Sequence, residues 1–187
     1  MPLFGKAKGR ERRPADDLED AAWAAYDNEI SGALYPRLAQ GPAWTNIRRE
    51  PGVREKIKRL AEEVLRLEPR RASAYILLGH IAMEEGKMDE LRAHYLRAIE
   101  VSYDPFDSAI WSGAILALEN GPFDILAECL EKMYERRPDA MVARRLAEAY
   151  WSMGNLQKGI AFLTMHLQRN PEDKRCMKLK KMMESEL

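Results

Sequence analysis

The chain has 187 residues, room for one ordinary domain, and 46% of them are apolar, too many for wholesale disorder. Lysine plus arginine and aspartate plus glutamate balance at 30 each, so no global field points to nucleic acid. With two cysteines, no opening signal-peptide pattern and no apolar run near the roughly 20 residues of a spanning helix, the sequence predicts a cytoplasmic protein.

Residues 1–14, MPLFGKAKGRERRP, are basic and poor in core residues, and read as a disordered tail capable of weak membrane-surface contact. Residues 15–50 read as a helix followed by a loop. Asp16 and Asp17 suit the positive end of a helix, and Leu18, Ala22, Trp23, Tyr26, Ile30 and Leu34 recur on one face. Pro36 ends or kinks that helix. Gln40-Gly41-Pro42 breaks the chain, with Trp44 and Ile47 in the loop that follows. Residues 51–187 hold the rest of the structure. Pro51 fits a first helical position, and a helix from about Val53 to Leu67 carries Ile57, Leu60, Ala61, Val64, Leu65 and Leu67 as its stripe. Glu55 with Arg59, and Glu62 with Arg66, are expected ion pairs on its wet side. Two helices follow to Val101, broken at Gly86. Two more lie between Phe106 and Arg136, broken at Gly121-Pro122, and another pair between Ala140 and Arg169, broken at Gly154-Asn155. A final helix from Pro171 to Glu184 keeps Lys178, Lys180 and Lys181 on a polar outer face, as a terminal cap requires.

The punctuation is periodic. Pro69, Pro105, Pro138 and Pro171 stand 36, 33 and 33 residues apart, and Gly52, Gly86, Gly121 and Gly154 precede them by 17, 19, 17 and 17. A fixed period in the thirties marks stacked helical hairpins rather than one closed core. Within the period run Tyr75-x2-Leu78-Gly79-x2-Ala82 and Leu91-x3-Tyr95-x2-Ala98. Ile110-x2-Gly113-Ala114-x2-Ala117 and Leu126-x3-Leu130 follow, then Leu146-Ala147-x2-Tyr150 and Gly159-x3-Leu163. This pattern resembles the tetratricopeptide repeat, over about residues 52–171. Small residues at Gly79, Gly113, Ala114 and Ala147 let paired helices approach, while Tyr95, Leu130 and Leu163 fill the space between pairs. The resemblance implies an all-α, right-handed α-solenoid of about eight or nine helices, with residues 15–50 contributing a divergent first repeat and a capping helix at the C-terminus.

In that family the first helices of the hairpins line a concave groove that binds partner segments. Carried onto this sequence, the groove positions are Ile76, His80, Met83 and Glu84, then Trp111, Ile115 and Leu118, then Arg144, Glu148 and Trp151. Packing of Trp111 and Trp151 between repeats is the competing reading. The family's clamp for C-terminal carboxylates needs Lys and Asn where Ile76 and His80 stand, so an apolar or amphipathic segment suits this groove better than an acidic tail.

Chemistry is hard to find. His80 and Glu84 share a face but form no HExxH, and His166 and Cys176 lie in different helices without metal-ligand spacing. Cys129 and Cys176 read as small hydrophobes. No nucleophile elbow, dinucleotide fingerprint or P-loop occurs, and no carboxylate pair is organised for acid–base work. Arg70-Arg71, Arg136-Arg137 and Arg144-Arg145 complement helix ends, and the run from Lys174 to Lys181 reads as a solvated face. The expectation is a non-enzymatic adaptor with a protein or peptide partner, no nucleic acid, no cofactor and no metal. Two alternatives stand beside it. One is a chaperone of the type III secretion kind, shielding hydrophobic clients; the other is a self-assembling scaffold whose groove takes a segment of a second copy.

Overall fold

The computed structural model describes residues 13–26, 51–106, 110, 115, 118 and 121–187. Most of the basic tail, Ile30 and Leu34, the break at Pro36, the 41–50 loop, and Trp111, Gly113 and Ala114 lie outside the described residues. Among the described residues there are eight α-helices and no strand, and no helix is long and apolar enough to cross a membrane. They fall into two compact units, residues 1–69 and 70–187.

The first unit holds α1 (Pro14–Tyr26) and α2 (Pro51–Leu67), which pack on each other. Helix α1 begins at Pro14, just ahead of the acids, because proline's fixed φ suits a first helical position. The Arg13 N–H donates to Asp16 Oδ2 at 3.0 Å, and its guanidinium reaches Glu68 at 2.8 Å, tying the start of α1 to the end of α2. Ala15 and Ala22 on α1, and Ile57, Ala61 and Val64 on α2, are buried, which is the one-sided burial that 3–4 residue spacing dictates. The wet side of α2 differs from expectation. Arg66 pairs with Glu63 at 2.6 Å rather than with Glu62, and Arg59 donates to the backbone carbonyl of Glu55 at 3.3 Å rather than to its carboxylate. Residues three apart are as close on a helix as residues four apart, and a planar guanidinium takes the fork that fits it.

The second unit runs α3 (Ala72–Glu84), α4 (Met88–Val101), α5 (Phe123–Arg136), α6 (Ala140–Ser152), α7 (Leu156–Arg169) and α8 (Lys174–Glu184). Each pair of consecutive helices here is in contact, across the 107–120 segment as well, and α6 also touches α8. The period expected from the prolines and glycines is visible in the backbone. Helices α6 and α7 start and end 68 residues after α3 and α4, two periods of 34. The turns repeat bond for bond. Lys87 N–H donates to the Ala82 carbonyl at 2.9 Å, and Asn155 N–H to the Tyr150 carbonyl at 2.9 Å. Between them sit Gly86 at φ +71 and Gly154 at φ +73, and Gly121 ahead of α5 stands at φ +102. A side chain would strain all three left-handed positions, so glycine closes these turns.

Capping sets the remaining boundaries. Asp139 accepts from the Met141 N–H at 2.7 Å to open α6, and Asp173 accepts from the Arg175 and Cys176 N–H groups, each at 3.0 Å, to open α8. The last helix therefore starts at Lys174, three residues later than Pro171.

Helix α3 is apolar on nearly every side, with Ala74, Ile76, Leu77, Leu78, Gly79, Ile81 and Ala82 all buried, as a helix packed all round must be. Gly79 lets it approach α4: a Cβ at this position would lie 2.2 Å from the ring of Tyr95. Between hairpins, Arg92 on α4 reaches Asp124 and Glu128 on α5 at 2.7 and 2.8 Å. Arg136 on α5 donates to the carbonyls of Ile99 and Ser102, closing the end of α4. Cations at a helix C-terminus complement its exposed carbonyls.

Candidate functional site

Helices α5 and α6 and the segment carrying Ile115 enclose a cleft of about 160 Å³. Phe123 and Leu126 line it from α5, and Arg145, Glu148, Ala149 and Ser152 from α6. The α6 residues fall at i, i+3, i+4 and i+7, one face of one helix. That face is apolar at its floor and charged at its rim. Glu148 sits 3.7 Å from both Arg144 and Arg145, so the rim carries a shared carboxylate between two guanidinium groups. These are part-exposed pairs of modest strength, able to exchange partners with an incoming charge.

Of the expected groove positions, the cleft gathers Ile115 and Glu148. Two others change status. Ile76 and Leu118 are 0% exposed, so these side chains are core rather than surface a ligand would touch, while Ile115, 1% exposed, shows only a small part of its side chain at the cleft floor. Their apolar character is the reason: a large aliphatic side chain gains about 1.5–3 kcal/mol by complete burial. His80, Met83 and Glu84 are half-buried on α3, with the His80 ring 5.9 Å from that of Tyr95, and they do not line the cleft. Arg144 acts on the cleft through Glu148. Trp151 is half-buried and its indole N–H donates to Glu186 at 2.9 Å, which engages it with the end of the chain. Trp111 lies outside the described residues.

Phe123, Leu126, Arg145, Ala149 and Ser152 are absent from the expected groove set. The family template selects 144, 148 and 151, whereas the lining face of α6 is rotated by one residue. A signal was present, because Ala149 and Ser152 are the small residues that leave room for a cleft.

A second cluster lies at the junction of α7 and α8. His166, Asp173 and Cys176 each offer one donor atom, and these atoms all lie within 4.8 Å of one another. His166 Nε2 is 3.2 Å from Asp173 Oδ2, and its Nδ1 is 2.9 Å from the Tyr134 hydroxyl. The Cys176 Sγ is 3.7 Å from the Ala140 carbonyl. Burial works against ionisation of Asp173, yet the Cys176 N–H and thiol, His166 and the Arg175 N–H together hold its carboxyl below the usual range. Burial first, and the Asp173 hydrogen bond second, push the Cys176 thiol up to about 12. The spacing hid this cluster: its donors fall at the end of one helix, at a cap and in the first turn of the next.

Cys129, inside α5, is likewise fully buried, and burial raises its thiol to about 12. The thiolate is the reactive form, so at pH 8 about one thiol in ten thousand would be ionised. Neither cysteine is expected to react with iodoacetamide in the native protein over hours, and both should react within minutes in guanidinium chloride. Intact-mass spectrometry reads this out, and rapid labelling of native Cys129 would contradict its placement in the core.

Residues 72–105, which span α3, α4 and the turn after them, match the family model described as tetratricopeptide repeat. No curated protein matches the chain. Repeats of this family generally mediate protein–protein interaction and are typically non-enzymatic. By hairpin geometry, period and family match, the segment 72–105 is a tetratricopeptide repeat.

Proposed function

We propose that the chain is a non-enzymatic adaptor whose α5–α6 cleft receives an apolar side chain from a segment of a partner protein. The observation that carries this is the cleft itself: an apolar floor of Ile115, Phe123, Leu126 and Ala149 beneath a rim of Arg145 and Glu148. Specific interfaces follow that plan, with a buried apolar anchor ringed by polar groups that fix register. The volume, about 160 Å³, suits one leucine- or phenylalanine-sized anchor rather than a whole small ligand, whose pockets start at about 300 Å³. Burying such an anchor is worth about 2 kcal/mol, so further contacts along the partner segment must supply the rest of the affinity.

A photo-reactive amino acid at Ser152, on the cleft rim, tests this against the same residue at Gln168, on an exposed face of α7. Irradiation in native lysate is expected to yield a discrete crosslinked polypeptide from position 152, at least tenfold above position 168. Filling the cleft with Ala149→Leu should abolish it. Equal crosslinking at both positions, or crosslinking that survives the filled cleft, would refute the assignment.

A further inference from the structure

We infer that His166, Asp173 and Cys176 form a binding site for a tetrahedral transition-metal ion of the zinc class, which joins α8 to α7. The ligand atoms are an imidazole nitrogen, a carboxylate oxygen and a sulfur, a set that favours Zn²⁺ over the all-oxygen ions Mg²⁺ and Ca²⁺. Tetrahedral bonds of about 2.0–2.2 Å place neighbouring nitrogen and oxygen ligands about 3.3 Å apart. His166 Nε2 and Asp173 Oδ2 are 3.2 Å apart, and the Cys176 sulfur lies within 4.8 Å of one donor atom of each of these residues.

The surroundings point the same way. A metal-bound histidine is normally oriented through its other ring nitrogen, and Tyr134 stands at Nδ1. A ligating carboxylate is normally held by hydrogen bonds to its second oxygen. The N–H groups of Arg175 and Cys176 hold Asp173 Oδ1 and leave Oδ2 turned towards His166. Charge balances as well. A divalent ion with one thiolate, one carboxylate and one neutral imidazole sums to zero, which suits a place where His166 is 1% and Cys176 0% exposed. On binding, the Cys176 S–H bond breaks, its electron pair enters the metal–sulfur bond, and the proton leaves to solvent. The imidazole stays neutral, with its proton on Nδ1 and donated to the Tyr134 oxygen. Three protein donors leave the fourth position to water or to the Ala140 carbonyl.

Without an ion, the same atoms close a hydrogen-bond network. Nε2–H then donates to Asp173, and Nδ1 accepts from Tyr134. The fold is therefore expected to form in either state, with the ion adding a staple at the final helix.

The test titrates the chelator-treated full-length chain with Co²⁺, which reports thiolate ligation by a near-ultraviolet charge-transfer band and tetrahedral geometry by intense visible bands. Both bands are expected to saturate at one ion per chain and to be bleached by Zn²⁺. Cys176→Ala should abolish the charge-transfer band, Cys129→Ala should keep it, and Tyr134→Phe should weaken binding about 10–100-fold, as lost outer-shell partners do. The proposal fails if the wild-type chain shows no thiolate band. It also fails if the band survives Cys176→Ala or vanishes in Cys129→Ala.

Discussion

Replacing Gly79 by alanine is expected to destabilise the 70–187 unit by about 2 kcal/mol, despite alanine's better helix propensity. Two effects oppose each other here. Alanine in a helix interior is worth about 1 kcal/mol over glycine. Its Cβ, however, would lie 2.2 Å from Cε1 and 2.4 Å from Cδ1 of Tyr95, far inside contact distance. The Tyr95 ring is completely buried, so relieving the clash means pushing the ring against its packed neighbours or separating α3 from α4. Overpacking of this kind costs about 1–3 kcal/mol and sometimes more, and at so short a distance we place it at the upper end. Urea unfolding followed by circular dichroism measures the net. The partner experiment is a double-mutant cycle with Tyr95→Leu, where removing the ring edge should turn the alanine from destabilising to neutral or better. An alanine as costly in the Tyr95→Leu background as beside the native tyrosine would show that the close approach is not the cause.

Leu130→Ala is expected to cost about 3 kcal/mol, within the range of about 2–5 kcal/mol for emptying a core leucine site. Leu130 lies in α5 and is completely buried, as are Cys129 beside it and Met133 one turn on. Its position in the repeat is that of Tyr95 and Leu163, the bulky residues of the neighbouring second helices. A void there cannot close without shifting whole helices, so little relaxation offsets the loss. Truncating an exposed side chain gives the contrast: Met153→Ala, at the turn after α6, should stay within about 0.5 kcal/mol of wild type. Similar losses in the two variants would remove Leu130 from the core.

The repeat architecture was readable because its marks are backbone requirements. Gly86, Gly121 and Gly154 stand at positive φ where the sequence alone placed turns, and Pro69, Pro138 and Pro171 follow their helices by two residues. Pro105 is late because Ser102 and Tyr103 intervene, and there the Ser102 hydroxyl donates to the Asp104 carbonyl at 2.7 Å. Side-chain roles were harder to read. A family template assigns a face by counting from the turn glycine, yet Ile76 and Leu118 gain more from burial than from lining a surface. Arg145 was read as a cation near a helix end, yet it stands in the middle of α6, and its place on the rim depends on how α5 lies against α6. The His166–Asp173–Cys176 cluster depends likewise on the path between α7 and α8, which spacing along the chain does not encode.

The identical turns at 82–87 and 150–155 have a practical corollary. Since the two hairpins share boundaries and the same closing bonds, a 34-residue block cut at equivalent points has compatible ends. Lengthening the protein by one such module, spliced at the junction before α6, should cost little, whereas an insertion of half that length would put every downstream helix on the wrong side. Modular growth, with each unit answering mainly to the one before it, is how such an array could be extended by duplication rather than by invention.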